Sequence, residues 1–254
     1  MKCFYIDPSS FAAPSLVISG SDAKHIINVL RLKPGDKIML FDGKGLEYEA
    51  EIVALASKNV EVSVIQSLSS ASESPVQIIV AQSFLKDRKM DGLVRQLTEL
   101  GIAKWIPFIS DRSVPRPDKK RLADRTKRWK KIAGEALKQC RRSCVPEIGS
   151  TVSFENILNI GRMCDLKIIF WENETEPLDF TFLQPHIRND GTIFVMLGPE
   201  GGFTPQEVEI ARASGFVTAA LGPRILRAET ATIAACTLLQ YFFGDLCKKS
   251  LTGD

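Results

Sequence analysis

Two short glycine-bearing segments have the residue types needed to bring bare backbone against a ligand. The first, LGPEGGFTPQEVEI at residues 197–210, follows the apolar run IFVM at residues 193–196. Glycines tolerate positive φ and carry no side chain that would block a ligand's approach. The segment lacks the lysine and Ser/Thr of the phosphate loop GxxxxGK[ST], and it lacks the GxGxxG of a dinucleotide-binding fold. On its own it is equally compatible with a ligand loop and with a tight turn at a sheet edge.

The second segment, LGPRILRAETAT at residues 221–232, repeats the arrangement. Again a Gly-Pro follows an apolar strand and leads into a helix. Loops that leave parallel strands of an open α/β sheet meet beyond the carboxyl ends of the strands, where such sheets bind ligands. The two segments together therefore predict one ligand site more strongly than either does alone.

The helix after the first segment has a clear start. Thr204 is the expected N-cap, Pro205 the first helical residue, and Glu207 stands where a capping box needs its acceptor. The first segment is therefore interpreted as a strand, a glycine loop and a helix in succession.

The elements that precede a polar, small-residue linker at residues 69–76 indicate a small β-barrel in residues 1–70. A short helix is expected at about residues 22–31. Alternating apolar and polar residues predict three strands, which are expected at 37–41, 46–53 and 59–65.

After the linker the pattern changes to strands that alternate with helices. Strands are expected at residues 76–83, 104–109, 166–172, 191–197 and 216–222, and helices at 87–101, in the basic segment, up to about 214 and at about 229–246. Apolar strands in such an alternation predict a parallel sheet covered on both faces, in an α/β domain of residues 75–254.

Composition excludes several classes of protein. No apolar run approaches the roughly 20 residues of a membrane span, and the first residues, MKCFYIDPSS, lack the apolar stretch of a signal peptide. A cytoplasmic location without a membrane partner is therefore expected. Six cysteines form no CxxC pair and only two histidines are present, so no metal site is expected.

Charge is unevenly distributed, although the net charge is only +3. Residues 112–142 carry thirteen Lys and Arg against three acidic residues, a net charge of +10, so the rest of the chain carries −7. A solvated helix face usually mixes signs, and this asymmetry favours a polyanion, above all a nucleic acid, as partner.

The last predicted helix is apolar almost all round. A surface helix would show one apolar stripe, so this helix must be covered on two sides. In a chain of this size the second cover could be another subunit, which predicts a symmetric homodimer.

The chain resembles the ribosomal RNA small subunit methyltransferase E family, of the SPOUT class, over its whole length. The resemblance is carried by HIINVLRLKPGD, QLTELGIAKWIPF, RWKKIAGEALKQCRRSCVPEI and the two glycine loops. It implies a PUA-like β-barrel followed by a SPOUT α/β methyltransferase domain with a C-terminal trefoil knot. It also implies S-adenosylmethionine as cofactor, N3 of a uridine in 16S ribosomal RNA as target, and a homodimer. Periodicity does not indicate the knot, and general topology rules would argue against it.

The family's cofactor loops match this sequence residue by residue. The matching positions are Leu197, Gly198, Pro199, Glu200, Gly201 and Gly202 in the first loop, and Leu221, Gly222, Ile225, Leu226, Arg227, Ala228, Glu229, Thr230 and Ala231 in the second. A third loop follows strand 166–172, with Glu172 as its expected contributor.

Two residues of the second loop are candidates for catalysis. Uridine N3 holds its proton at neutral pH, so an enzyme must remove it or stabilise the anion that results. Arg227 could stabilise negative charge on the uracil carbonyls, and Glu229 could act as the base. Alternatively, the Glu229 carboxylate stabilises the last helix by interacting with the positive end of the helix dipole.

Seven basic residues are candidates for RNA contact: Arg31, Lys86, Arg88, Arg112, Lys127, Lys131 and Arg142. The chain departs from the family at Lys2, where arginine is frequent, and at Arg141, where a small residue is expected. Either Arg141 or Arg142 could therefore make the RNA contact.

Two other functions stay open on sequence grounds. One is a SPOUT enzyme that acts on another RNA nucleotide or atom. The other is a non-catalytic RNA-binding factor in ribosome assembly, against which the intact glycines of both loops argue, because a dead cofactor site has no need of them.

Overall fold

The computed structural model describes residues 2–6, 10, 16–69, 73–86, 88–114, 116–176, 179, 183, 187 and 190–247. The chain forms two compact units, the first of residues 1–73 with 137–145 and the second of residues 74–136 with 146–254. Residues 70–72 of the predicted linker lie outside the described residues. The predicted division into 1–70 and 75–254 places residues 137–145 in the second domain, whereas the structure groups them with the first unit.

The first unit is built on a five-stranded sheet in the order β1-β3-β4-β5-β2. Its strands are β1 (Cys3–Tyr5), β2 (Leu16–Ser19), β3 (Lys37–Phe41), β4 (Leu46–Leu55) and β5 (Asn59–Ser69). β1 pairs parallel with β3, and the other pairs are antiparallel. No pairing joins β1 to β2 among the described residues, so this PUA-like sheet is a half-barrel.

One helical segment covers the core of this half-barrel. Helix α1 (Gly20–Lys24) continues into a π-helical turn, His25–Leu30, and ends at Arg31 in a left-handed conformation. Ile26 from the turn is fully buried with Ile38 and Ile52 from the strands. The helix predicted at about residues 22–31 is therefore present, and it begins two residues earlier.

The second unit is built on a parallel sheet in the order β12-β10-β11-β6-β7-β8, with β9 beside β7. Its strands are β6 (Gln77–Ser83), β7 (Lys104–Ile109), β8 (Glu147–Ile148), β9 (Val152–Ser153), β10 (Leu166–Phe170), β11 (Thr192–Leu197) and β12 (Val217–Ala219). Its helices are α2 (Lys89–Glu99), α3 (Lys119–Cys140), α4 (Phe154–Gly161), α5 (Pro205–Ala213) and α6 (Ala228–Phe242). The last turn of α3 falls in the first unit.

Both faces of the parallel sheet are buried, as the continuously apolar strands predict. On β11, Val195 packs with the cluster formed by α2, α3 and α6, whereas Phe194 and Met196 pack with the cluster formed by α4 and α5. The predicted α/β fold is confirmed. The trefoil knot requires a particular threading of the chain, which strand order does not describe, and it stays an expectation from the resemblance.

Neighbouring strands place the predicted ligand loops on one edge. β10 lies between β11 and β12, and all three run in the same direction. The segments that follow them therefore leave the same carboxyl edge of the sheet. Within the described ranges, no helix is long and apolar enough to cross a membrane.

Candidate functional site

A cleft of about 550 Å³ opens where the three segments leave β10, β11 and β12. Of the loop positions matched above, Glu172, all six of the first loop and all of the second except Glu229 and Thr230 line it. Glu229 is not among the lining residues. The cleft is also lined by residues that the motif match did not include, namely Lys89, Phe170, Trp171, Ala220, Pro223 and Arg224.

The glycines of the two loops meet different demands. Gly202 has φ +65°, and a Cβ there would overlap the carboxylate of Glu172, so the protein's own side chain uses the space that the glycine leaves. Gly222 has φ +93°, and a Cβ there would meet no atom within 4 Å. Only Gly222 therefore combines a left-handed backbone with open space at the cleft.

The first loop ends in the predicted capping box. The Thr204 hydroxyl accepts a hydrogen bond from the Glu207 N–H at 3.2 Å, and Glu207 Oε2 accepts one from the Thr204 N–H at 2.8 Å. Glu207 Oε1 also accepts the N–H of Asp111 at 2.9 Å, so the cap joins α5 to the segment after β7. This prediction is confirmed.

A buried glutamine connects the two loops under the cleft. Gln82, at 0% exposure, donates from its amide to the carbonyl of Gly198 at 3.2 Å and accepts the Thr232 hydroxyl at 2.6 Å. Gly198 belongs to the first loop and Thr232 to the first turns of α6. Sequence reasoning missed this residue, although a second glutamine inside the apolar run VQIIVAQS was a signal that a buried polar group needed partners.

An ion-pair network lies beside the cleft. The Lys89 ammonium is 3.1 Å from Glu200 Oε1 and 3.2 Å from Glu229 Oε2. Its hydrogen bond with Glu200 raises the pKa of Lys89 above its ordinary value. Burial alone would raise the pKa of Glu200, but the backbone N–H groups of Glu200 and Lys86 and the Lys89 ammonium outweigh it, and the pKa is lowered. Both charges are thus maintained at neutral pH.

The two catalytic candidates lie at the start of α6. Arg227 is the N-cap residue, with an exposed side chain on the cleft. Glu229 is in the first turn, where a carboxylate is favoured by the helix dipole, and it is paired with Lys89. The arrangement is compatible with both interpretations of Glu229, as a base and as a carboxylate that stabilises the amino-terminal end of α6.

The candidates for RNA contact fall in both units. Arg31 is exposed in the first unit, and Lys86, Arg88, Lys127 and Lys131 are exposed in the second. Arg112 is also exposed, and its guanidinium donates to the carbonyl of Gly201 at 2.9 Å. Arg112 therefore contacts the first glycine loop directly.

The expectation for Arg142 needs correction. Arg142 is 5% exposed, and its Nη2 lies 2.7 Å from Glu73 Oε2. Glu73 Oε1 also accepts the N–H groups of Ser143 and Cys144. A buried guanidinium that is bound to a carboxylate is not available to a phosphate, whereas Arg141 beside it is exposed.

Two family profiles match this chain, and both describe an RNA methyltransferase. The family profile described as RNA methyltransferase domain matches residues 72–240, and the profile described as RNA methyltransferase PUA domain matches residues 18–65. The ribosomal RNA small subunit methyltransferase E of Bacillus subtilis is 32% identical over 232 residues, which cover 90% of this chain and 91% of that protein.

Solved structures agree with the sequence matches. The chain is similar to the ribosomal RNA small subunit methyltransferase E of Neisseria gonorrhoeae bound to S-adenosyl methionine, with a TM-score of 0.80 and 33% identity over 96% of this chain and 99% of that one. It is also similar to a putative methyltransferase of Legionella pneumophila in complex with the same cofactor, with a TM-score of 0.79 and 30% identity over 96% and 98%. The chain belongs to the ribosomal RNA small subunit methyltransferase E family.

The Glu73–Arg142 pair generates a stability prediction. Glu73→Ala leaves the buried Arg142 without its counter-charge, and we expect the free energy of unfolding to fall by about 3 kcal/mol, as for other broken buried pairs. Urea denaturation followed by circular dichroism measures the change. The control Lys37→Ala removes the more exposed pair with Glu49 and should cost much less. Equal losses in the two variants would contradict the prediction.

Proposed function

We propose that the chain uses S-adenosylmethionine to methylate N3 of a uridine in 16S ribosomal RNA. The observation that carries the proposal is the convergence of the three loop segments on one cleft in a chain of this family. The volume of about 550 Å³ is in the range of small-molecule and cofactor sites. The two solved relatives with S-adenosylmethionine bound support the cofactor part of the proposal.

The residues of the cleft suit such a cofactor. Exposed backbone of both loops can form hydrogen bonds, and Leu197, Leu221 and Ile225 offer apolar contact. The free space at Gly222 lets a ligand approach the chain closely. When bound, S-adenosylmethionine supplies an activated methyl group on its sulfonium.

Residues at the start of α6 would act on the target base. Arg227, exposed on the cleft, would donate hydrogen bonds to the uracil carbonyl oxygens and stabilise the negative charge that deprotonation leaves there. Glu229 would accept the proton from N3. The bond from N3 to the methyl carbon then forms as the bond from carbon to sulfur breaks, and positioning contributes most to such an in-line displacement.

The reaction is tested by nucleoside mass spectrometry of 16S ribosomal RNA from cells with and without the gene. We expect the 16S ribosomal RNA of cells without the gene to lack one N3-methyluridine, which the purified protein should restore. Loss of a different methylated nucleoside would indicate the other SPOUT activity, and no change in any nucleoside would favour the assembly factor.

The cofactor assignment predicts a specific effect at Gly222. Gly222→Val adds a side chain at the cleft and should lose measurable S-adenosylmethionine binding by calorimetry. Gly35 in the first unit is a matched control, because its φ is +92° and a Cβ there would also meet no atom within 4 Å. Both variants carry a left-handed backbone strain of about 1–3 kcal/mol, so only the position differs. Unchanged affinity in Gly222→Val would refute the assignment.

The basic segment is proposed to bind the RNA backbone. Lys127, Lys130 and Lys131 are exposed on α3, whereas Trp129 is buried against the sheet. Changing the three lysines to glutamate should weaken RNA binding and keep cofactor affinity. For every phosphate that the variant no longer neutralises, the slope of log K against log salt concentration should become shallower by about 0.7–0.9. A filter-binding titration at several salt concentrations measures this, and a wild-type slope near zero would argue against the assignment.

A homodimer is proposed to form through the carboxyl end of α6. Tyr241 and Phe242 there are 50% and 42% exposed, and Leu246, just after the helix, is 51% exposed. A symmetric contact between two copies would cover them. Light scattering at micromolar concentration should show a dimer, and Tyr241→Glu should shift it to monomer. Met163 is 92% exposed and lies outside α6, so Met163→Glu should leave the dimer intact. A monomeric wild type would exclude this arrangement.

A further inference from the structure

Lys89 joins two segments of the cleft that are far apart in the sequence. Its ammonium lies within 3.2 Å of a carboxylate oxygen of Glu200 and of one of Glu229. Glu200 belongs to the loop after β11, and Glu229 belongs to the first turn of α6. One side chain from a third element, the start of α2, therefore bridges the two loops that bear the predicted cofactor contacts.

The place of Lys89 in α2 is locally unfavourable. It is the first residue of the helix, where the partial positive charge of the helix end disfavours a cation. Residues that break such a local rule are commonly found at functional sites. The helix itself does not favour a lysine at this position, so we attribute its presence to the two carboxylate partners.

Global stability does not explain the network either. The side chains of Lys89, Glu200 and Glu229 are 31%, 26% and 31% exposed. Ion pairs with that much access to solvent contribute little to the free energy of unfolding. The network therefore acts on local geometry.

Glu200 is the fixed end of the network. Its Oε1 also accepts the N–H of Lys86 at 3.0 Å, which ties the first loop to the segment after β6. Among the contacts described for Glu229, only the Lys89 ammonium links its carboxylate to another segment. Because both carboxylates lie close to one nitrogen, they would repel each other if the ammonium were removed.

We propose that Lys89 is a positioning residue that keeps the loop after β11 and the first turn of α6 at the spacing that S-adenosylmethionine binding requires. The inference rests on the proposed function. Lys89 acts here through Glu200 and Glu229, and the other charged residues that line the cleft are Glu172, Arg224 and Arg227.

The test compares Lys89→Met with Lys89→Arg in the full chain. We expect Lys89→Met to raise the Kd and the KM for S-adenosylmethionine about tenfold, a coupling typical of residues in one ion-pair network. Because Lys89 also pairs with Glu229, the proposed base, kcat should change as well, so cofactor affinity is the deciding readout. Lys89→Arg should restore most of that affinity because it keeps the cation. Calorimetry and steady-state kinetics measure these values.

Lys104 supplies a matched control. It forms an ion pair with Glu147 at 2.8 Å, its side chain is 30% exposed, and it does not line the cleft. Lys104→Met should bind the cofactor like the wild type. Thermal unfolding of both methionine variants should give similar midpoints, which would show that loss of binding in Lys89→Met is not loss of folding.

A second background separates positioning from direct contact with the ligand. In a Glu200→Gln, Glu229→Gln double variant, Lys89→Met should cause no further loss of affinity, because no carboxylates remain to be held. A further tenfold loss in that background would show direct contact and overturn the inference. Wild-type affinity in Lys89→Met would overturn this inference and leave the proposed function intact. A wild-type chain that does not bind S-adenosylmethionine would overturn both.

Discussion

The cleft depends on a polar side chain in the interior of the parallel sheet. Gln82 is fully buried, and its amide reaches the carbonyl of Gly198 while its oxygen accepts the hydroxyl of Thr232. A buried amide is costly unless its partners are in place. The first loop and the start of α6 must therefore come together for the strand to be buried at all, and their spacing follows from the core of the domain.

Carboxylates then fix the outer parts of the loops. Glu207 closes the cap of α5 and holds the N–H of Asp111, and Glu200 holds the N–H of Lys86. Glu172 lies over Gly202, where no side chain could fit beside it. The first loop is thus anchored by acceptors to neighbouring segments, and much of its backbone faces the cleft. This separation between anchoring side chains and exposed backbone is what a site that recognises a ligand through main-chain groups requires.

The sequence predicted those parts of the molecule that local patterns control. The apolar strands β6, β7, β10 and β11, the capping box at Thr204 and the two glycine loops all have signals within a few residues. The short strands β8 and β9 are two residues long, too short for any period, and they form because β7 offers an edge to pair with. Gln82 and Lys89 were missed for a related reason: their partners lie more than one hundred residues away in the sequence.

The same limit applies to charge. The value of +10 for residues 112–142 counts only residues in that segment, but several of its cations are paired with acids elsewhere in the chain. Arg128 pairs with Asp91, Lys138 with Asp22 and Arg142 with Glu73. Folding therefore neutralises part of the basic segment and leaves its positive field concentrated on the exposed lysines of α3. The surface that would attract a polyanion is smaller than the sequence suggests, and because Trp129 buries the opposite face of that helix, it is also held in a fixed orientation.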